Sequence, residues 1–156
     1  MNHEETKDTK WDDCGVSKTV IGAAMRVHRE LGPGLLESVY HRCLVFELRS
    51  SGLAVASEVP LNLNYRGISF GCAYRVDLIV EASLLVEVKA IQKLEPIHLA
   101  QIITYLKLAH LRARLLLNFN VPRLRDGLKR IVCGPSPSRL SSLRGQIAPA
   151  SHRGEA

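Results

Sequence analysis

Aromatic side chains are scarce in this chain. Phe, Trp and Tyr make up 5% of its 156 residues, so a core has to be built from aliphatic groups. No run approaches the roughly 18 consecutive apolar residues of a membrane-spanning helix, and no membrane partner is expected. The opening stretch MNHEETKDTKWDD is polar and lacks the apolar segment of a secretory signal, which points to the cytoplasm. Closely spaced cysteines are missing too. Cys14, Cys43, Cys72 and Cys133 are scattered, and no two have the spacing of a zinc knuckle or a redox pair. Reduced, mostly buried thiols are expected. Hydrophobic residues nevertheless reach 46%. That excludes wholesale disorder and is enough for one domain with a real core.

Charge is unevenly placed. The net charge is +6, yet residues 1–13 hold two Lys against five acids, and residues 14–133 hold 16 Lys and Arg against nine Asp and Glu. Six cations, Arg112, Arg114, Arg123, Arg125, Lys129 and Arg130, crowd into residues 112–130. Such a cluster suits a polyanion such as nucleic acid, and it equally suits a plain solvated surface.

The composition divides the chain into a polar tail over 1–13, a domain over 14–133, and a Pro-, Ser- and Gly-rich tail over 134–156. Within the domain, Val20, Ala24, Val27 and Leu31 fall on one helical face, with Ser17 as a plausible N-cap. GPG at 32–34 breaks that helix. A second helix over about 35–51 stops at Gly52. Alternation over 55–65, with Val55, Ser57, Val59, Leu61, Leu63 and Tyr65 on one side, predicts a strand. Arg66-Gly67 reads as a turn. Two more strands, over 73–81 and 84–90, join through a tight turn near Ala82-Ser83. Pro96 opens a helix running to about 110. A strand over 113–120 follows, and then a loop or short helical turn leads to a short strand. The order predicts a mixed α/β domain with a sheet flanked by helices.

The chemistry sits in polar residues placed where apolar ones are expected. In LLVEVKA, Glu87 and Lys89 share one face while Leu84, Val86, Val88 and Ala90 line the other. Antiparallel pairing about residue 82 sets Asp77 opposite Glu87, and opposed like charges are destabilising unless a cation compensates. Two carboxylates plus waters are a usual Mg²⁺ site. The plainer alternative is an ion pair of Lys89 with Glu87 or Asp77 at a sheet edge. Glu37 and Glu47 fall inside the apolar sector of the second helix, with Tyr40 and His41 as neighbours of Glu37. In the 96–110 helix, Leu99, Ile102, Ile103, Leu106 and Ala109 form the apolar stripe. The opposite side, Ala100, Gln101, Thr104, Tyr105 and Leu108, suits contact with protein or ligand.

Together Asp77, Glu87-Val88-Lys89 and Gln101-x-x-x-Tyr105 resemble the PD-(D/E)XK nuclease-like superfamily. GLLESVY at 34–40 is similar to the motif of the GxxExxY family, through Gly34, Glu37 and Tyr40. The resemblance implies a restriction-endonuclease-like αβββαβ core and a Mg²⁺- or Mn²⁺-dependent nuclease, with DNA the favoured substrate and a homodimer left open. It makes Asp77 and Glu87 metal ligands, Glu37 an additional acid, and Lys89 the lysine that positions the attacking water. Gln101 and Tyr105 would orient the site or the strand. Val76 stands in place of the proline of the P-D pair. The competing readings are a nucleic-acid-binding module without catalysis, using the basic stretch 112–130, and a partner-binding protein whose charged cluster is an ion network.

Overall fold

LLVEVK and ARLLLN each contain an unbroken run of three apolar residues, which suits strands covered on both faces. They lie side by side in the middle of the sheet, and nearly every residue in them is buried. The computed structural model describes residues 14–111 and 113–132. The two expected tails, Arg112, Cys133 and the side chain of Cys14 lie outside the described residues. The elements are α1 (Cys14–Leu31), α2 (Glu37–Ser50), β1 (Val55–Tyr65), β2 (Ile68–Val80), β3 (Leu84–Lys89), α3 (Pro96–Ala109), β4 (Ala113–Asn118), a 3₁₀ turn (Leu124–Gly127) and β5 (Leu128–Val132). The sheet order is β1-β2-β3-β4-β5. All neighbours are antiparallel except β3 and β4, which are parallel. A parallel pair needs a crossover, and α3 supplies it. This is an α/β fold with the αβββαβ core of the restriction endonucleases.

The sheet has two covered faces. Val20, Ala23, Ala24 and Val27 of α1, with Tyr40, Leu44 and Leu48 of α2, pack on Leu78, Val80, Leu84, Val86, Val88, Leu115 and Leu117. On the other side, Leu106 and Ala109 of α3 meet Leu61, Val76 and Leu85. Among the described residues no helix is long and apolar enough to cross a membrane.

The structure corrects several local readings. α1 begins at Cys14, so Ser17 is buried inside the helix rather than capping it; Val16 is already part of the core and extends the apolar face. Glu47 does not face the sheet's polar cluster. It pairs with Arg26 of α1 at 3.0 Å, a surface ion pair. Cys72 is exposed and Cys43 half-buried, so the thiols are not uniformly interior. On α3, Ile102, Leu106 and Ala109 are buried as expected, whereas Ala100, Gln101 and Thr104 face solvent.

Strand alternation also breaks at one point. Tyr74 and Val76 pack on the α3 side, but Leu78 and Val80 pack on the α1–α2 side. β1 does the same between Val55 and Val59. Glu58, at the break, has φ 52°, a left-handed backbone rare for a residue with a Cβ. The two strands therefore exchange faces around Glu58 and Asp77.

Glycine at 127 is dictated by close approach: a Cβ there would overlap the Asn118 carbonyl oxygen. Gly22, in α1, has only the tip of the Arg26 side chain near its would-be Cβ, at 3.9 Å. Gly127→Ala should therefore destabilise by about 1–3 kcal/mol. Gly22→Ala should stabilise by roughly 0.5–1 kcal/mol. Urea unfolding of the two variants checks both signs.

Candidate functional site

Asp77 and Glu87 meet because a short connection joins their strands. The register Leu78↔Val86, Ile79↔Leu85, Val80↔Leu84 extends by one step to bring Asp77 opposite Glu87. Asp77 Oδ2 accepts the Val88 N–H at 2.8 Å. Glu87 Oε2 lies 3.4 Å from the Asp77 N–H, a long and weak bond. Glu87 is buried, only 4% exposed, and Asp77 is half-buried.

The electrostatics follow. Burial pushes the Glu87 carboxyl up to about 8, reinforced by the negative charge of Asp77 and by a carboxyl-to-carboxyl hydrogen bond with it. Lys89 acts in the opposite direction, as does the bond from the Asp77 N–H. Yet Lys89 forms no ion pair within 4.0 Å of either acid. The edge salt bridge offered by the sequence is thus not made, and the two carboxylates lack a close counter-charge among the described residues.

The helix α2 supplies the next residues. Gly34, φ 100°, takes a conformation costly for other residues, in the loop that brings the chain into α2. The Tyr40 hydroxyl donates to the Gly32 carbonyl at 2.5 Å and accepts the Leu35 N–H at 3.1 Å. Its ring stacks on Phe119 of the β4 exit, 4.6 Å between centroids. Tyr40 thereby fixes the loop before α2, and Glu37 becomes the first residue of the helix. Glu37 Oε2 accepts the Ala90 N–H at 3.3 Å, just beyond Lys89. The G-x-x-E-x-x-Y spacing is a local frame that holds one acid at the end of β3.

Glu37 and Asp77 line a common cavity of about 240 Å³ with Ser38, His41, Arg42, Glu58, Arg75 and Val76. The sequence reading did not give His41, Arg42, Glu58 or Arg75 a role in the site. His41 Nε2 lies 3.2 Å from the Asp77 carbonyl oxygen, which can only accept, and 3.4 Å from Ser57 Oγ. Arg75 was within reach of a sequence argument, two residues from Asp77 on its own strand; the others are joined only by the fold. Asn118 was also missed. Buried at the end of β4, it accepts the Ile91 N–H and donates to the Ile91 carbonyl, both at 3.0 Å. With the Phe119 N–H donating to the Lys89 carbonyl at 2.8 Å, it holds the segment that carries Lys89.

From α3, the Tyr105 ring lies 5.2 Å from that of Tyr74. Burial raises its hydroxyl pKa, and the charge of Glu87 adds to this, followed by Tyr74 and Asp77. Tyr105 thus stays a neutral hydroxyl beside the acids. Gln101 is exposed and hydrogen-bonds neither acid.

The basic stretch divides. Arg123, Arg125 and Lys129 are exposed, Arg123 pairing with Asp126 at 3.5 Å, and Arg130 is half-buried. Arg114 is a correction: it is 0% exposed, because β4 is a central strand covered on both faces, and it cannot contribute to a surface patch. Arg112 lies outside the described residues. The 3₁₀ turn carrying Arg125 packs its Gly127 on Asn118, the residue paired with Lys89, so these cations sit at the Lys89 end of the sheet.

Comparison with protein families matches the PD-(D/E)XK nuclease superfamily over residues 15–131. The match covers most of the chain, and the protein belongs to that superfamily. No curated protein and no solved structure matches it.

The Glu87 shift has a signed consequence. Its folded pKa is raised above the unfolded value of 4.5. The stability this group contributes is therefore full below that unfolded value and is lost as pH rises through about 8. With chelator present, the wild type should lose stability between pH 5 and pH 8. Glu87→Gln removes the titration and should be the more stable protein at pH 8, by on the order of a few kcal/mol, with the gap closing toward pH 5. Thermal unfolding at the two pH values checks it.

Proposed function

We propose that the protein is a divalent-metal-dependent nuclease that hydrolyses phosphodiester bonds, with DNA the favoured substrate. The observation that carries this reading is the pair of close carboxylates, one of them buried, with a lysine on the same strand that neutralises neither. The donor set suits Mg²⁺ or Mn²⁺. Although no group of three or more His, Cys, Asp or Glu is preassembled among the described residues, Mg²⁺ is commonly held by one or two carboxylates, with waters and substrate phosphate completing its shell. Asp77 and Glu87 would hold the ion, with Glu37 as a further acid at the rim. When bound, such an ion polarises a phosphoryl oxygen and acidifies a water.

The chain's own residues would then divide the work. Lys89, unpaired with the acids, would donate to the attacking water and offset charge developing on the phosphoryl oxygens. Tyr105, kept protonated, would donate a hydrogen bond near Glu87. Gln101, at the solvent face of α3, would contact the incoming strand. Arg123, Arg125 and Lys129 would hold backbone phosphates, since their side chains reach solvent at the Lys89 end of the sheet. The GLLESVY frame around Glu37 and Tyr40 supports a place for the chain in the GxxExxY group.

Lys89→Ala should abolish Mg²⁺-dependent cleavage, a loss on the order of 10²–10⁴ in rate, while calorimetric Mn²⁺ binding survives. Asp77→Ala should lose the Mn²⁺ signal. Equal cleavage by wild type and Lys89→Ala would reduce the lysine to a bystander. A wild type that cleaves neither DNA nor RNA with either ion would favour a non-catalytic binding module.

The cation cluster has a separate test. Nucleic-acid affinity should fall steeply with salt, and replacing Arg123 and Arg125 together by Ala should flatten the log–log slope by about 2. An unchanged slope would move the phosphate contacts elsewhere.

A further inference from the structure

The β1–β2 hairpin is longer than the sheet needs. β1 and β2 run for 11 and 13 residues, against 6 in β3. Its outer half pairs Leu63↔Phe70 and Tyr65↔Ile68. Directly paired residues share a face, as do residues two apart on one strand. Leu63, Tyr65, Ile68 and Phe70 therefore form one strip. Tyr65 and Ile68 are each 58% exposed and Phe70 47%. The Arg66 guanidinium lies 5.9 Å from the centre of the Tyr65 ring.

The strip continues an interior face. Val59 and Leu61 precede Leu63 and Tyr65 on the same side of β1, and Leu61 pairs with Tyr74. That inner part packs with α3, and Tyr74 meets Tyr105 beside Glu87. Between the two halves the register shifts, with Cys72 at φ 53° and its N–H held by Asn62 Oδ1 at 3.0 Å. Such bulges redirect a strand. Tyr74 and Tyr105 thus lie at the inner end of the hairpin, between its outer half and the acids.

We infer that the outer face of this hairpin, Leu63, Tyr65, Ile68 and Phe70, is a stacking platform for unpaired nucleotides of a strand that leads into the site. The inference takes its ligand class from the nuclease reading above. Charge supports it independently: residues 59–76 contain no acid, and Arg66 stands at the tip against Tyr65, which suits contact with a polyanion. Bases stack on exposed aromatic rings without regard to sequence, and a nearby guanidinium strengthens the contact. A second copy of the chain fits less well. Three half-exposed side chains of this size present on the order of 300 Å², well short of the roughly 800 Å² per partner of a stable dimer.

The test is fluorescence anisotropy with a labelled oligothymidylate, in chelator so that nothing is cut. The proteins are wild type, the double variant Tyr65→Ala/Phe70→Ala, Tyr65→Trp, and Phe46→Ala as an exposed apolar control on α2. The double variant should lose at least about fivefold in single-strand affinity, with blunt-duplex affinity little changed. Phe46→Ala should bind normally. Tyr65→Trp should keep its affinity and show fluorescence quenching when the strand is added. Equal single-strand binding by wild type and the double variant overturns the platform. So does a wild-type dimer, seen by sedimentation, that the double variant loses while strand binding is unchanged. A wild type that cleaves with Mg²⁺ while the double variant binds normally sinks only the platform. A wild type that binds and cleaves no nucleic acid sinks the nuclease reading with it.

Discussion

Two carboxylates facing each other across neighbouring strands are the constraint around which this domain is built. Asp77 and Glu87 are close enough to share a proton, and Glu87 is nearly dry. Even a buried ion pair of opposite charge can often be replaced by apolar residues of similar volume without loss of stability, and two like-charged acids repel instead of attracting. As a device for folding this pair of acids therefore makes little sense. The surroundings nonetheless accommodate it: Val88 donates to one acid and Asp77 donates weakly to the other. A local conflict held in place by consistent surroundings is the pattern expected of a functional site.

The frame around the pair is correspondingly rigid. Asn118 uses both ends of its amide on Ile91, and so carries the sheet's hydrogen bonding two residues past the formal end of β3. Gly127 allows the 3₁₀ turn to lie against that same asparagine. His28 of α1 donates to the Val121 carbonyl at 2.8 Å and ties the intervening loop to the helical layer. Tyr40 joins both ends of the arrangement, bonding the loop before α2 while stacking on Phe119. Glu37 and Lys89 are thus held through neighbours that were chosen for packing. Glu37 is tied to the backbone at Ala90, and the backbone of Lys89 to that of Phe119.

What the sequence reveals and what it hides follow from the range of the interactions. The facing of Asp77 and Glu87 was legible because a tight turn fixes register and alternation fixes the face. Tyr40 and Glu37 were legible as a spaced motif on one helix, although the hydrogen bonds that give the spacing its meaning were not. Arg114 was misplaced because its burial depends on sheet order. The apolar run of ARLLLN suits a covered strand, but an arginine within it is taken for a solvated group until the sheet order is known. The exchange of faces at Glu58 was also invisible: a glutamate in a left-handed backbone has no sequence signature. The outer hairpin was half read. The Arg66-Gly67 turn and the strand before it were found; the strand after it, though Ile68, Phe70 and Cys72 alternate with small residues, was taken to begin only at 73, because its exposed apolar side chains satisfy no core.

Desolvation connects the stability of the domain to the proposed chemistry. The same burial that raises the Glu87 pKa makes its charged form costly, and so makes any cation that binds the charged form a stabiliser of the fold. Whatever binds only the native state shifts the folding equilibrium in proportion to its occupancy, and carboxylate ligands must lose their proton to bind. Under the proposed function, metal binding, proton release and folding are then one linked equilibrium centred on Glu87. Lys89 enters that balance only at a distance: its charge favours the ionised Glu87, but it closes on neither acid, which leaves its ammonium free to reach a phosphate. Had it closed on Asp77 or Glu87, one of the two negative charges would be offset, weakening the demand for a cation and using up the spare positive charge together.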